Sequence, residues 1–178
     1  TMHSSGLAYL GAVRGPEETL TISPDLALKQ FEFFSRQFKF IVVDVGTELG
    51  PLQISILQEA TAIMIVTTPE VLVVTQTQRL INELLSNTFP KDMFQLIINK
   101  ASSNGLSPQA ISSQLQLSPL SVIPHDEITA MASLQKYQPF VIGQPKTPIT
   151  AAYYETVRKL SGGVIQRLKS LSRPKPVV

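Results

Sequence analysis

The sequence predicts an α/β domain with a mainly parallel sheet and helices on both of its faces. Short apolar runs alternate with longer amphipathic stretches along nearly all of the 178 residues, as in folds built from strand–helix–strand units. Most of these runs are continuously apolar, which is typical of parallel strands covered on both sides. Because such sheets bind ligands past the carboxyl ends of their strands, the loops after the runs should share one edge and form the site.

Five apolar runs are the predicted strands, and they cover residues 7–13, 38–45, 62–67, 94–99 and 120–124. Serine followed by proline at 23–24 and at 107–108 supplies a capping side chain and a first-turn proline, so a helix is expected to begin at each pair. Apolar residues at helical spacing predict three more helices over 71–85, 127–136 and 148–171. Two adjacent glycines, Gly162 and Gly163, predict a bend or break in the last helix.

Composition favours one domain over residues 1–172, followed by a flexible basic tail with two prolines at 173–178. The chain has no cysteine and two distant histidines, which excludes disulfides and thiolate metal sites and disfavours zinc. A net charge of +2 gives no reason to expect specific nucleic-acid binding. No apolar run reaches the roughly 18 residues of a membrane span, and no signal peptide is recognisable, so we expect a cytoplasmic protein.

The stretch FKFIVVDVGTELG places an acid, Asp44, at the end of a predicted strand and before a loop with glycines. An acid in this position suits a metal or phosphate site, and the less favoured alternative is that it caps the next helix or turn. One interpretation is a receiver-like domain, in which Asp44 accepts a phosphoryl group and Thr67 or Thr68 and Lys100 follow at later strand ends. Such domains also need an acidic pair after the first strand, where this sequence has Arg14 and a glycine.

Four motifs in order support a different interpretation. FKFIVVD ends at Asp44, IVTTPE ends at Glu70, IINK contains Asn99, and IPHD ends at Asp126. Together they resemble the later two-thirds of ParA/MinD-type P-loop ATPases, most closely the pilus-assembly members of the CpaE/TadZ kind. The resemblance extends over nearly the whole chain and implies the fold of that family.

The resemblance implies that the intact protein binds ATP or ADP with Mg²⁺. Asp44 would be the Walker B acid that holds Mg²⁺ through water, and the Asn99 amide would pair with adenine. Guanine recognition needs a carboxylate two residues after Lys100, and this sequence has Ser102 there, so guanine is disfavoured. Asn99 could instead be a turn residue, and Glu70 a first-turn acid of a helix. The full set of cofactor-binding residues is Asp44, Gly46, Glu70, Asn99, Pro124 and Asp126, and Asp44 alone is assigned to the metal.

The glycine-rich loop with lysines that cradles phosphates in this family has no counterpart here, since the sequence contains no Gly-Lys pair. We therefore expect no ATP hydrolysis and at most weak nucleotide binding from these residues alone. Either the loop belongs to another part of a longer ATPase, or it has been lost and the domain is a pseudo-ATPase that docks partners. An incomplete sheet would also expose a strand edge, so we expect self-association or instability.

By resemblance, the intact protein forms a homodimer on binding ATP and positions or assembles a pilus or secretion machine. The opposing interpretation is a docking module that uses the last helix on an anionic membrane surface, which would place the protein at the inner face of the membrane. An apolar stripe and flanking cations suggest it: Leu160, Val164, Ile165, Leu168 and Leu171, with Arg167, Lys169, Arg173 and Lys175. The same stripe could simply cover the sheet.

Overall fold

The computed structural model describes residues 1–3, 5–11 and 23–171, with side chains described only to residue 162 in the last helix. These residues belong to two compact units, Thr1–Ala60 and Thr61–Val178. Each unit is described by itself.

The first unit contains two helices, α1 (Pro24–Ser35) and α2 (Pro51–Gln58), that pack against each other. The start of α1 is as predicted, because the Ser23 hydroxyl accepts a hydrogen bond from the backbone N–H of Leu26 at 3.2 Å. The sequence did not predict α2. It begins with a proline after Gly50, a start signal that the surrounding glycines and the short apolar run obscured.

Two predicted strands of the first unit are wrong. Residues 38–45 form no strand, and Val42 in the middle of the run is 76% exposed. Residues 7–11 contribute only an isolated antiparallel bridge between Ala8 and Met2, and residues 12 and 13 lie outside the described part. An apolar run becomes a strand only when a neighbouring strand takes its backbone hydrogen bonds, and these runs have no such neighbour among the described residues.

The second unit is built on a parallel sheet of three strands in the order β1 (Ile63–Thr67), β2 (Phe94–Ala101) and β3 (Pro119–Pro124). All three match predicted strands within two residues. The helices between and after them are α3 (Val71–Ser86), α4 (Pro108–Leu115), α5 (Glu127–Gln135), α6 (Phe140–Gly143) and α7 (Pro148–Leu171), and a 3₁₀ turn, Lys91–Met93, precedes β2. The predicted alternation of strand and helix is therefore confirmed, and with it the α/β class.

Helices cover both faces of the sheet at its centre. Ile97 of β2 is buried in a cluster with Ile149 of α7, on one face. The next residue, Ile98, is fully buried and points to the other face, since side chains alternate along a strand. Its neighbour in β1 is Thr67, whose hydroxyl accepts a hydrogen bond from Thr77 of α3 at 3.0 Å. Helix α3 therefore lies on the face opposite α7.

Among the described residues, helices of the second unit cover only one face of β1. Met64 and Val66 are exposed, Val66 by 56%, although Val66 pairs in register with buried Ile97. Helix α7 makes its extensive contacts with β3, at the far side of the sheet from β1. The prediction that strands are buried on both faces thus fits β2 and β3 but not β1.

Hydrogen bonds between polar groups hold helix α7 against β3. Buried Thr156 and Ser121 share a hydrogen bond of 2.5 Å, and the Lys159 ammonium donates to the carbonyl of Leu120 at 3.0 Å. The helix runs unbroken through Gly162 and Gly163, so the predicted break is wrong. A cost of about 1 kcal/mol per glycine is not enough to interrupt a 24-residue helix anchored along its first half.

Within the described ranges, no helix is both long and apolar enough to cross a bilayer. The predicted tail at 173–178 lies outside these ranges. The proposed membrane stripe falls largely on side chains that are also outside them, with Leu160 as its one described member.

Candidate functional site

An open cavity of about 690 Å³ lies at the edge of the second unit where the three strands end. Its volume falls within the range of small-molecule sites. Its walls come from the loops after all three strands: Pro69, Glu70 and Val71 after β1, Lys100, Ser102, Asn104, Gly105 and Leu106 around the end of β2, and His125 after β3. The prediction that strand-end loops converge is therefore confirmed for these three loops.

The loops after β1 and β2 are held together by a close backbone approach. The N–H of Leu106 donates to the carbonyl of Pro69 at 2.8 Å. At Gly105 an added Cβ would lie 2.6 Å from the Cβ of Pro69 and 3.0 Å from its carbonyl oxygen. No real side chain tolerates such distances, so the absence of a Cβ at Gly105 is what lets this wall of the cavity close.

The loops after β2 and β3 are joined as well. The N–H of His125 donates to the carbonyl of Ala101 at 2.9 Å, which extends the pairing of the two strands by one residue. Just before, Lys100 adopts a left-handed backbone conformation with φ of 53°, and the Asn99 side-chain oxygen accepts from the Lys100 N–H at 2.9 Å. Asn99 thus stabilises the turn that sets Lys100 in the cavity wall.

The cavity wall carries charges of both signs. Lys100 and Glu70 are exposed, and neither takes part in an ion pair among the described residues. Glu70 stands at the N-terminal boundary of α3, where its side chain makes no capping hydrogen bond. The two side chains are therefore available to a ligand, and Lys100 supplies a cation for an anionic one.

Asn99, Pro124 and Asp126 do not line the cavity, although all three stand at strand ends beside it. Asp126 caps α5, and its carboxylate accepts from the N–H of Thr129 at 2.9 Å. Hydrogen bonds from the hydroxyl and the backbone of Thr129 hold the pKa of Asp126 below its ordinary value. The Asp126 carboxylate is thus used to start a helix, which leaves its backbone as the part that could face a base.

Asp44 and Gly46 lie in the first unit. Asp44 is exposed, and one of its oxygens accepts from the N–H of Gly46 at 3.0 Å, where the backbone has φ of 73°. The geometry is that of an acid capping its own turn. Among the described residues no three histidine, aspartate or glutamate side chains come together as a metal site. Mg²⁺ at a nucleotide often needs only one protein carboxylate beside phosphate and water, so the second oxygen of Asp44 fits that role.

Three residues of the cavity wall, Lys100, Gly105 and His125, are not among the cofactor-binding residues predicted from the sequence. Lys100 and His125 carry a usable signal, since each directly follows a strand-end residue of a motif. Gly105 carries none, because its importance comes from Pro69, which is 36 positions earlier in the chain.

No protein-family model matches the chain, and no curated protein gives a significant match. Solved structures do. A ParA family ATPase from Chlorobium tepidum matches with a TM-score of 0.79 at 20% identity, over 88% of this chain and 65% of that one. MinD in the MinC:MinD cell division complex of Aquifex aeolicus matches with a TM-score of 0.68 at 24% identity, over 80% and 60%. MinD from Pyrococcus horikoshii, complexed with Mg-ADP, matches with a TM-score of 0.67 at 21% identity, over 84% and 63%.

The chain spans 60 to 65% of the length of these three structures. At this level of identity the likeness concerns the fold, and here it agrees with the parallel sheet and its flanking helices. We conclude that this chain has the fold of the ParA and MinD P-loop ATPases.

Proposed function

We propose that the chain is the base-binding part of a ParA/MinD-like ATPase and that its cavity receives an adenine nucleotide. The observation that carries the proposal is the wall made by three strand-end loops that are hydrogen-bonded to one another. In a parallel α/β sheet this edge is where ligands bind, and a structural neighbour with the same fold is complexed with Mg-ADP.

Four residues of the second unit have a role in this proposal. Asn99 offers its amide N–H groups to the base, the backbone of Pro124 and Asp126 lies against the base, and Lys100 attracts the anionic ligand. Separately, the resemblance of its motif supports a role for Asp44 of the first unit in holding Mg²⁺ through water. Bound Mg²⁺ would neutralise phosphate charge. Nothing in these residues replaces a phosphate-cradling loop, so we expect affinity for Mg-ADP to be weaker than about 0.1 mM, which corresponds to less than about 5.5 kcal/mol of binding free energy.

We further propose that the intact protein dimerises when ATP binds and that this switch positions a pilus or secretion machine. The resemblance of the four motifs to pilus-assembly members supports the choice of machine. The MinD neighbour that forms a complex with MinC supports a function in which such a fold recruits a partner. Flagellar placement and chromosome partition use related proteins and remain alternatives to the pilus within the same proposal.

Nuclear magnetic resonance of the ¹⁵N-labelled chain tests nucleotide binding, because it detects millimolar affinities. Titration with Mg-ADP should shift the amide signals of residues 70, 71, 99–106 and 125. Lys100→Asn keeps a residue that tolerates the left-handed backbone but removes the cation, and it should weaken binding about two- to five-fold. Lys91→Asn is the matched control, since Lys91 is exposed just before β2 and so lies at the opposite edge of the sheet.

Three results would contradict the proposal. One is the absence of any shift at about 10 mM Mg-ADP, another is equal shifts with Mg-GTP, and the last is a Lys91→Asn effect as large as that of Lys100→Asn. Shifts confined to the predicted residues, and stronger for adenine than for guanine, would support it.

The second candidate function is a pseudo-ATPase that docks a partner without catalysis. An exposed apolar face on α5 favours it, since Ile128 is 86% exposed and Leu134 is 69% exposed, and such faces often contact a partner. The receiver-like interpretation has less support. The hydroxyl of Thr67 is buried and bonded to Thr77, so it is not available at the strand end for phosphoryl chemistry; Thr68 remains the only alternative there.

A further inference from the structure

The loop after β2 contains the sequence's only asparagine that is followed by glycine, Asn104 before Gly105. Both residues are exposed, and both line the cavity wall. Turn formation alone would explain such a pair, because asparagine and glycine both suit tight turns. The pair also has a chemical property. Glycine has no Cβ to shield its backbone nitrogen, so this nitrogen can approach the carbonyl carbon of the preceding asparagine side chain.

The two groups that would react are weakly held in the structure. The N–H of Gly105 donates to the carbonyl of Ser102 at 3.5 Å, beyond the usual range of about 2.7–3.2 Å. The side-chain oxygen of Asn104 accepts from the Ser103 hydroxyl at 3.4 Å. This hydroxyl is placed to stabilise the negative charge that develops on the oxygen when a nucleophile attacks the carbonyl carbon.

The other asparagines of the chain are better protected. The Asn87 side-chain nitrogen donates to the carbonyl of Glu83 at 2.9 Å. At Asn99 the next backbone N–H, that of Lys100, donates to the side-chain oxygen at 2.9 Å, so the nitrogen that would attack is already hydrogen-bonded. Asn82 lies inside α3, where helical hydrogen bonds hold the backbone. Local structure therefore distinguishes Asn104 from the rest.

We propose that Asn104 is a site of spontaneous deamidation in the folded protein. A solvent base removes the proton from the Gly105 backbone nitrogen, and this nitrogen forms a bond to the carbonyl carbon of the Asn104 side chain. The side-chain nitrogen takes up a proton and leaves as ammonia. Water then opens the resulting cyclic imide by breaking either of its ring C–N bonds. The product at position 104 is an aspartate or an isoaspartate, in which the main chain runs through the side-chain carbon.

Deamidation would change the cavity in charge and in shape. It adds a carboxylate to the wall that carries Lys100, and repulsion of the phosphates should weaken Mg-ADP binding about two- to five-fold. An isoaspartate also lengthens the main chain by one carbon directly before the contact of Gly105 and Leu106 with Pro69. The effect on binding rests on the proposed function, whereas the deamidation itself needs no nucleotide.

Incubation of the folded 178-residue chain at mildly alkaline pH tests the inference, with released ammonia and peptide mass mapping as readouts. Ammonia release should rise with pH, and the mass change should lie at residue 104. Asn104→Gln should abolish both signals, because its additional methylene removes the geometry for the same ring closure. Asn87→Gln is the matched control, an exposed asparagine whose replacement should leave the ammonia release unchanged.

Three results would overturn the inference. One is a folded chain that keeps its amide at residue 104, and another is conversion at Asn87 as fast as at Asn104. The last is conversion that occurs only after unfolding in urea, because the folded loop would then protect the pair. Titration with Mg-ADP before and after conversion measures the effect on binding separately, and equal affinities would contradict the expected weakening.

Discussion

Gly105→Ala should separate the loops that form the cavity. The new methyl group would lie 2.6 Å from the Cβ and 2.8 Å from the Cγ of Pro69, distances at which one of the two loops must move. Pro69 cannot rotate away, because its atoms belong to a rigid ring and to the backbone. The backbone at Gly105 is not in the left-handed region, so the effect is purely steric.

The magnitude follows from two contributions. Forcing a methyl group into a closely packed site costs about 1–3 kcal/mol. Moving the loop also strains or breaks the hydrogen bond from the N–H of Leu106 to the carbonyl of Pro69, at about 0.5–1.5 kcal/mol. The free energy of unfolding should therefore fall by about 2–4 kcal/mol. For a chain of this size that lowers Tm by about 4–16 °C.

Thermal unfolding followed by circular dichroism measures this change in stability. The Mg-ADP titration is a second readout, in which Gly105→Ala should weaken nucleotide binding. Gly162→Ala is the matched control, because an added Cβ there meets no atom within 4 Å. Its position inside α7 predicts the opposite sign, a gain of about 0.5–1 kcal/mol. If Gly105→Ala is as stable as the wild type, or gains as much as Gly162→Ala, the reasoning about the Pro69 contact is refuted.

Three further changes test other parts of the structure. Thr156→Val leaves the buried Ser121 hydroxyl without its described partner and should cost about 1–3 kcal/mol in urea unfolding, most of which Thr156→Val/Ser121→Ala should restore. The folded-state pKa of Asp126 is lowered, so the ionised Asp126 side chain stabilises the fold fully above the ordinary pKa of 3.8, and this effect is lost as the pH falls through the folded-state pKa. Asp126→Asn should therefore reduce the loss of stability between pH 6 and pH 3. An unchanged loss would count against the capping role of Asp126. Lys100→Gly relieves a left-handed backbone and should raise the free energy of unfolding by about 1 kcal/mol, so a lower Tm would contradict the assignment of strain.

The second unit is the part of the fold that was predictable from sequence. Residues 94–99 and 120–124 are apolar runs between clear helix signals, and both became strands of a sheet that covers them on two sides. The capping serines at 23 and 107 start helices as expected, with hydrogen bonds from side chain to backbone. These features depend on neighbours within a few positions, which is why a linear pattern is enough to find them.

The first unit shows why the same patterns can mislead. Residues 38–45 are as apolar as β2, but a strand is a property of a pair, and no partner strand is present for them among the described residues. The candidate site shows a similar division. Position after a strand indicates the region of the cavity, whose wall includes Lys100 and His125, whereas Asn99 and Asp126 stand beside it.

The sequence by itself determined the α/β class, the three strands of the second unit and the edge of the sheet where a ligand would bind, because these follow from local apolar patterns and their order. Only the tertiary structure decided that Gly105 must lack a side chain, that β1 keeps one face open and that α5 turns its apolar residues outward. Each of these depends on which distant atoms lie within a few ångströms, and packing of that kind leaves no periodic trace in the chain.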